Sequence, residues 1–132
     1  MKVFFDTNVL VSAIATRGLC ADIFQVVLVE HDLFVSETVL TELRRVLTRK
    51  LKVSATTVDS VEAYLRRYAT VVPSQRSSSH QGLEAADAAV FAEAASATDV
   101  LVTGDRALLE LKKPALRVVS PRGLWEMFRK AT

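Results

Sequence analysis

One cysteine, Cys20, in 132 residues excludes an internal disulfide and any thiolate metal cluster, and such a residue is expected to be a buried apolar filler. Histidine is nearly as scarce. His31 precedes an apolar run and His80 lies in a polar stretch, and neither has a serine, cysteine or second histidine at a useful spacing, which leaves no pattern for zinc or for histidine-based nucleophilic catalysis. No charge-free apolar segment approaches the roughly 18 residues needed to span a bilayer, and Met1-Lys2 leads straight into a short apolar run rather than a signal peptide. The expectation is a soluble, cytoplasmic protein with no membrane partner. Charge of one sign is also in short supply: 17 Lys and Arg against 15 Asp and Glu give a formal net charge of +2, too little to argue for nucleic acid by itself.

What is present is a half-hydrophobic chain of the right length for a single domain, 1–132, with a genuine core. Its cations are unevenly placed. Arg44, Arg45, Arg49, Lys50 and Lys52 follow one another without an acid, and the tail holds Lys112, Lys113, Arg117, Arg122, Arg129 and Lys130 against Glu126 alone. A solvated helix face is the commoner meaning of such a cluster; a track for a phosphate backbone is the other.

Periodicity orders the elements. Lys2 to Phe5 reads as a strand, Val9 to Ala15 as a helix, and Arg17-Gly18 separates it from a second helix running to about Glu30. Asp32 to Val35 is the next strand, and Ser36 caps a helix with Val39, Leu40, Leu43, Val46 and Leu47 on one face. A further helix covers Thr57 to Tyr68, with Val58, Val61, Tyr64, Leu65 and Tyr68 as its apolar face, before a brief strand at Thr70 to Val72. Ser74 to Gly82 is a polar loop placed to act as a mobile flap, and Leu83 to Thr98 is a helix apolar on almost every side. Asp99 to Val102 (strand), Ala107 to Leu111 (helix), Leu116 to Val119 (strand) and a helix opened by Ser120-Pro121 complete the chain. This alternation predicts a three-layer α/β/α sandwich with a mostly parallel central sheet.

Two of these strands finish on acids, Asp6 after the first and Asp105 after Val100 to Val102, where open α/β sheets gather their ligands. Asp87 adds a carboxylate on the same helical face as Phe91 and Ala94, where a lone charge is costly unless a cation or donors meet it. Glu42 lies beside the apolar stripe of its own helix. Each acid also has an ordinary reading: Asp6 and Asp105 as turn caps, Asp87 as an acceptor of backbone amides, Glu42 as a surface partner of Arg45. Together, with Asn8 and Thr103 as nearby neutral oxygens, they form an oxygen-only donor set of the kind Mg²⁺ or Mn²⁺ prefers, which suits a metal-dependent hydrolase of phosphate esters. A covalent phosphatase of the haloacid-dehalogenase type would want a second Asp two residues after the first, where this chain has Asn8.

The stretch Phe5-Asp6-Thr7-Asn8-Val9-Leu10-Val11-Ser12-Ala13, the Ser36-x-x-x-Leu40-x-Glu42-Leu43 helix, Asp87 leading into Val90-Phe91-Ala92-x-Ala94, and Thr103-Gly104-Asp105 resemble, in order, the acidic motifs of PIN domains. The similarity is greatest to the branch related to VapC-type toxins, and it runs from Lys2 to about Trp125. It implies a small α/β/α nuclease that binds Mg²⁺ or Mn²⁺ through Asp6, Glu42, Asp87 and Asp105, cuts RNA, and works as a homodimer restrained by an antitoxin protein. Asn8 and Thr103 would be supporting polar residues. Many relatives carry Asp-x-x-Asp where this chain has Glu84-x-x-Asp87, so Glu84 is left to favourable placement in the helix first turn. Arg44, Arg45, Arg49 and Lys50 are candidates for RNA phosphates, and Val9, Leu10, Phe24, Val27 and Leu28 for a dimer or antitoxin surface, core packing being the commoner role. A non-catalytic PIN-like RNA- or protein-binding module and a general RNA-processing nuclease without an antitoxin are the alternatives.

Overall fold

In the computed structural model the described residues are 1–75, 83–111 and 116–131. Most of the Ser74–Gly82 flap, with His80, and Lys112 and Lys113 of the basic tail lie outside them.

The strands β1 (Lys2–Phe5), β2 (Asp32–Ser36), β3 (Thr70–Val72), β4 (Val100–Val102) and β5 (Arg117–Val119) form one sheet in the order β3-β2-β1-β4-β5, and every pairing is parallel. β1 and β4 are near-continuous apolar runs because both of their faces are covered, as parallel sheets require: Val3, Phe4, Phe5, Leu101 and Val102 are wholly buried. The chain winds outward from β1 in both directions, first through β2 and β3, then back across to β4 and β5. The order therefore reverses between β1 and β4, and the register that sets Phe5 beside Val102 ends both strands at the same edge. That edge is the topological switch point, where α/β sheets leave a crevice.

The helices are α1 (Thr7–Ala15), α2 (Leu19–Glu30), α3 (Glu37–Arg45), α4 (Ala55–Tyr68), α5 (Ala85–Ala97), α6 (Arg106–Leu109) and α7 (Pro121–Lys130). Side-chain caps fix several of their starts. Ser36 accepts from the Val39 amide, Ser54 from Thr57, Ser120 from Gly123, and Asp6 and Asp105 from Thr7 and Ala107. These caps account for the differences from the periodic reading: α1 begins at Thr7 rather than Val9 because Asp6 caps it, and α4 begins at Ala55 rather than Thr57 because Ser54 does.

Four expectations change more. The helix carrying Glu42 passes after Arg45 into a π-helical turn, Val46–Lys50, a geometry that periodicity does not encode. On α4, Val58 and Leu65 are buried but Tyr64 and Tyr68 are 45 % and 54 % exposed, their rings 4.8 Å apart. Val9, Leu10 and Val27 are core residues, so they cannot form an outer surface; Phe24 is buried too but keeps an edge on a surface cavity, and Leu28 packs half-buried against the same core. Cys20 is only partly buried, and that burial raises its thiol pKa. Among the described residues no single helix is long and apolar enough to cross a membrane.

Candidate active site

The crevice at the β1/β4 edge holds a cleft of about 510 Å³ whose lining includes Asp6, Asn8, Thr38, Thr41, Glu42, Arg45, Ser74, Asp87 and Asp105. Four separate parts of the fold deliver the acids. Asp6 leaves the end of β1, Asp105 follows β4, Glu42 stands on α3, and Asp87 occupies the first turn of α5. The four acids picked out in the sequence, together with Asn8, thus line one cavity.

Asp6 is the most enclosed of the four, 8 % exposed, and both of its oxygens are engaged. Oδ1 accepts from the Thr7 amide at 2.8 Å and Oδ2 from the Thr103 hydroxyl at 2.7 Å. The same Thr103 oxygen accepts from the Asp105 amide at 3.0 Å, so one fully buried hydroxyl ties the two strand ends together. Asp105 is then fixed by the Ala107 amide, 2.8 Å from Oδ1. The ordinary capping roles are therefore real. They orient the carboxylates without neutralising them.

The electrostatic state of the cleft follows. Burial pushes the Asp6 pKa up, the Thr103 hydroxyl and Thr7 amide pull it down, and the charges of Asp105 and Glu42 raise it again. For Asp87 burial also leads, followed by Asp105, Asp6 and Glu84, and its carboxyl lies within hydrogen-bonding reach of Asp105. Both carboxyls sit above their ordinary values chiefly because burial disfavours the charged form, and neighbouring negative groups add to it. Among the described residues Arg45 is the one cation in the lining, and it is spent on Glu42, with contacts of 2.6 and 2.8 Å. As the side chains stand, no three acidic, histidine or cysteine groups among the described residues converge tightly enough to chelate an ion. The Glu42–Arg45 pair holds Glu42 in its present pose.

The remaining cations divide. Arg44 turns to α4, where Asp59 and Glu62 each hold it at 2.9 Å, and it does not line the cleft. Arg49 and Lys50 line a shallow depression that continues from Glu42 and Arg45. Glu84 is the N-terminal flanking residue of α5 rather than part of its first turn, makes no side-chain cap, and reaches the cleft only through its charge on Asp87. Sequence reasoning missed Glu93. It is fully buried on α5, and its Oε2 accepts from the Thr38 hydroxyl and the Gln75 amide at the cleft wall. The signal was available, since a helix apolar on every side leaves Glu93 no solvent face.

An all-parallel sheet with an acid-lined crevice at its switch point defines an α/β protein with a negatively charged cleft. A family model described as the PIN domain matches residues 2–107, and the chain belongs to that family. In fold it is similar to a chain of the VapBC2 complex from Rickettsia felis, solved bound to a DNA fragment from its promoter, with a TM-score of 0.66 and 14 % identity over 91 % of this chain and 98 % of that one. No curated protein matches.

Proposed function

We propose that the chain is a divalent-metal-dependent endoribonuclease, and that it serves as the toxin of a toxin–antitoxin pair. The observation that carries the nuclease reading is the gathering of Asp6, Glu42, Asp87 and Asp105 in one cleft where, among the described residues, Arg45 is the one cation. Their oxygens suit Mg²⁺ or Mn²⁺, and the carboxyls of Asp6 and Asp87, raised by burial and then by neighbouring acids, would be relieved by such an ion. When bound, the ion would neutralise charge on the scissile phosphate and lower the pKa of a water. Asp6, Asp87 and Asp105 would hold it, joined by Glu42 once released from Arg45.

The chain's own groups do the rest. Thr103 keeps Asp6 and Asp105 in register, and the Ala107 amide holds Asp105. Arg45, Arg49 and Lys50 offer a path for phosphates beside Glu42, and Arg45 could exchange its carboxylate partner for a phosphate. Arg44, occupied by α4, is left out of that path.

The toxin role draws on the PIN family membership and the likeness in fold to VapBC2. An antitoxin would find an apolar cavity of about 440 Å³ between α1, α2 and α4, bordered by Ile14, Phe24, Val61 and Tyr64, with Ile14 and Tyr64 exposed. A homodimer is part of the same proposal. The test of the nuclease is cleavage of single-stranded RNA in Mg²⁺ or Mn²⁺ against EDTA; the test of the toxin is growth arrest on expression, relieved by co-expressing a small protein encoded beside it and restored by Ile14→Glu. Arrest that Ile14→Glu leaves fully relieved would exclude this cavity as the docking site.

A further inference from the structure

One wall of the cleft is not acidic. Thr38, from the first turn of α3, and Ser74, just after β3, line it, and behind them lies Glu93. The Thr38 oxygen is 2.7 Å from Glu93 Oε2 and 2.9 Å from the Ser74 oxygen. A hydroxyl has one proton and two lone pairs, while a carboxylate oxygen only accepts. The Thr38 proton therefore goes to Glu93, and the Ser74–Thr38 contact must be made with the Ser74 proton. Glu93 Oε2 accepts from the Gln75 amide as well, at 3.0 Å, which pins the segment carrying Ser74. The other oxygen, Oε1, has no hydrogen-bond partner among the described residues, so Oε2 alone receives both donors of this wall, the Thr38 hydroxyl and the Gln75 amide. Among the described residues, Ser74 is left showing the cleft lone pairs only.

An acceptor-only position sorts ligands by chemistry. A phosphate oxygen gains nothing there, whereas a ribose 2′-hydroxyl or a base amine can donate to it. The 2′-hydroxyl belongs to the backbone beside every phosphate, and Ser74 shares one cleft with the acids proposed to act on that phosphate; base edges stand farther out. We propose that Ser74 reads a ribose 2′-hydroxyl next to the scissile bond, and so lets the cleft tell RNA from DNA. The inference rests on the nuclease reading.

The experiment uses the full chain and single-stranded RNA oligonucleotides carrying one 2′-deoxynucleotide at each position around the cleaved bond, with inosine-for-guanosine substitutions as a second series. For the native chain, one deoxy position should lower kcat/KM about three- to tenfold, the worth of one net hydrogen bond. In Ser74→Ala, a small change at an exposed residue, that ratio should fall to about one. A structural role alone would slow ribo and deoxy substrates alike and leave the ratio in place, which would overturn the proposal. A penalty found with inosine instead would assign Ser74 to a base amine, and cleavage abolished by the deoxy position in both proteins would make the hydroxyl a reactant; either result contradicts the assignment. The same ratio measured by binding in EDTA decides the matter even if the chain cuts no RNA, an outcome that would sink the nuclease reading separately.

Discussion

Thr103 shows how much can rest on one hydroxyl. It donates to Asp6 and accepts from Asp105, with no exposure to solvent, so Thr103→Val keeps the shape while removing both bonds. The expected result is a loss of about 1–3 kcal/mol in thermal or urea unfolding, from one buried and one partly buried group left without a partner, together with a fall in RNA cleavage larger than the stability change explains. Unchanged cleavage would show that Asp6 and Asp105 need no mutual alignment. Asp87→Asn tests the opposite balance. Burial and the charges of Asp105, Asp6 and Glu84 make the ionised Asp87 a burden on the metal-free fold, so the neutral amide should leave Tm equal or higher while cleavage drops at least a hundredfold. A fall in Tm matching the loss of activity would make Asp87 a structural residue. At this scale the strand-end acids were legible because apolar runs stop on them, and Asp87 because its helix has no polar side. Glu93 escaped notice inside Phe91-Ala92-Glu93-Ala94, since its partners Thr38 and Gln75 come from remote segments. The Arg44/Arg45 distinction was equally hidden: one step along α3 turns the first to α4 and the second to the cleft.

Among the elements, α3 matters most, because it presents Thr38, Thr41, Glu42 and Arg45 to the cleft. Its cap is legible in Ser36, whose buried oxygen receives the Val39 amide at 3.1 Å, and Ser36→Ala should cost about 1 kcal/mol in denaturant unfolding. No cost would mean that packing of Val39, Leu40 and Leu43 alone sets the helix start. α3 is also held to α4 by Arg66, which reaches Glu37 and Glu62, while Glu62 meets Arg44 too. These guanidinium contacts lower the pKa of both Glu37 and Glu62. A carboxylate whose folded pKa lies below its unfolded value adds stability above the unfolded pKa, around 4.3. That stability is lost as pH falls through the lowered folded value. Arg66→Gln should therefore narrow the stability difference between pH 7 and pH 3 in urea titrations; an unaltered difference would show the network to be idle, as many exposed pairs are. The π-helical turn after α3 was not legible, since apolar spacing does not encode a change in backbone hydrogen-bond register.

For the molecule as a whole, the strand order was the step that sequence could not supply. Alternating strands and helices predict a parallel sandwich, but only the reversal between β1 and β4 makes Asp6 and Asp105 neighbours across 99 residues. That reversal, with α3 and α5 bordering the same edge, turns four separated acids into one charged cleft. The central claim is that this cleft works by holding a divalent ion against RNA phosphate. The most direct measurement is cleavage of a single-stranded RNA by the native chain and by Asp87→Asn, each in Mg²⁺, in Mn²⁺ and in EDTA, with Tm recorded in the same buffers. Metal-dependent cleavage by the native chain, with a metal-dependent rise in Tm that Asp87→Asn lacks, is the predicted result. Robust cleavage in EDTA, or by Asp87→Asn in either metal, would contradict it.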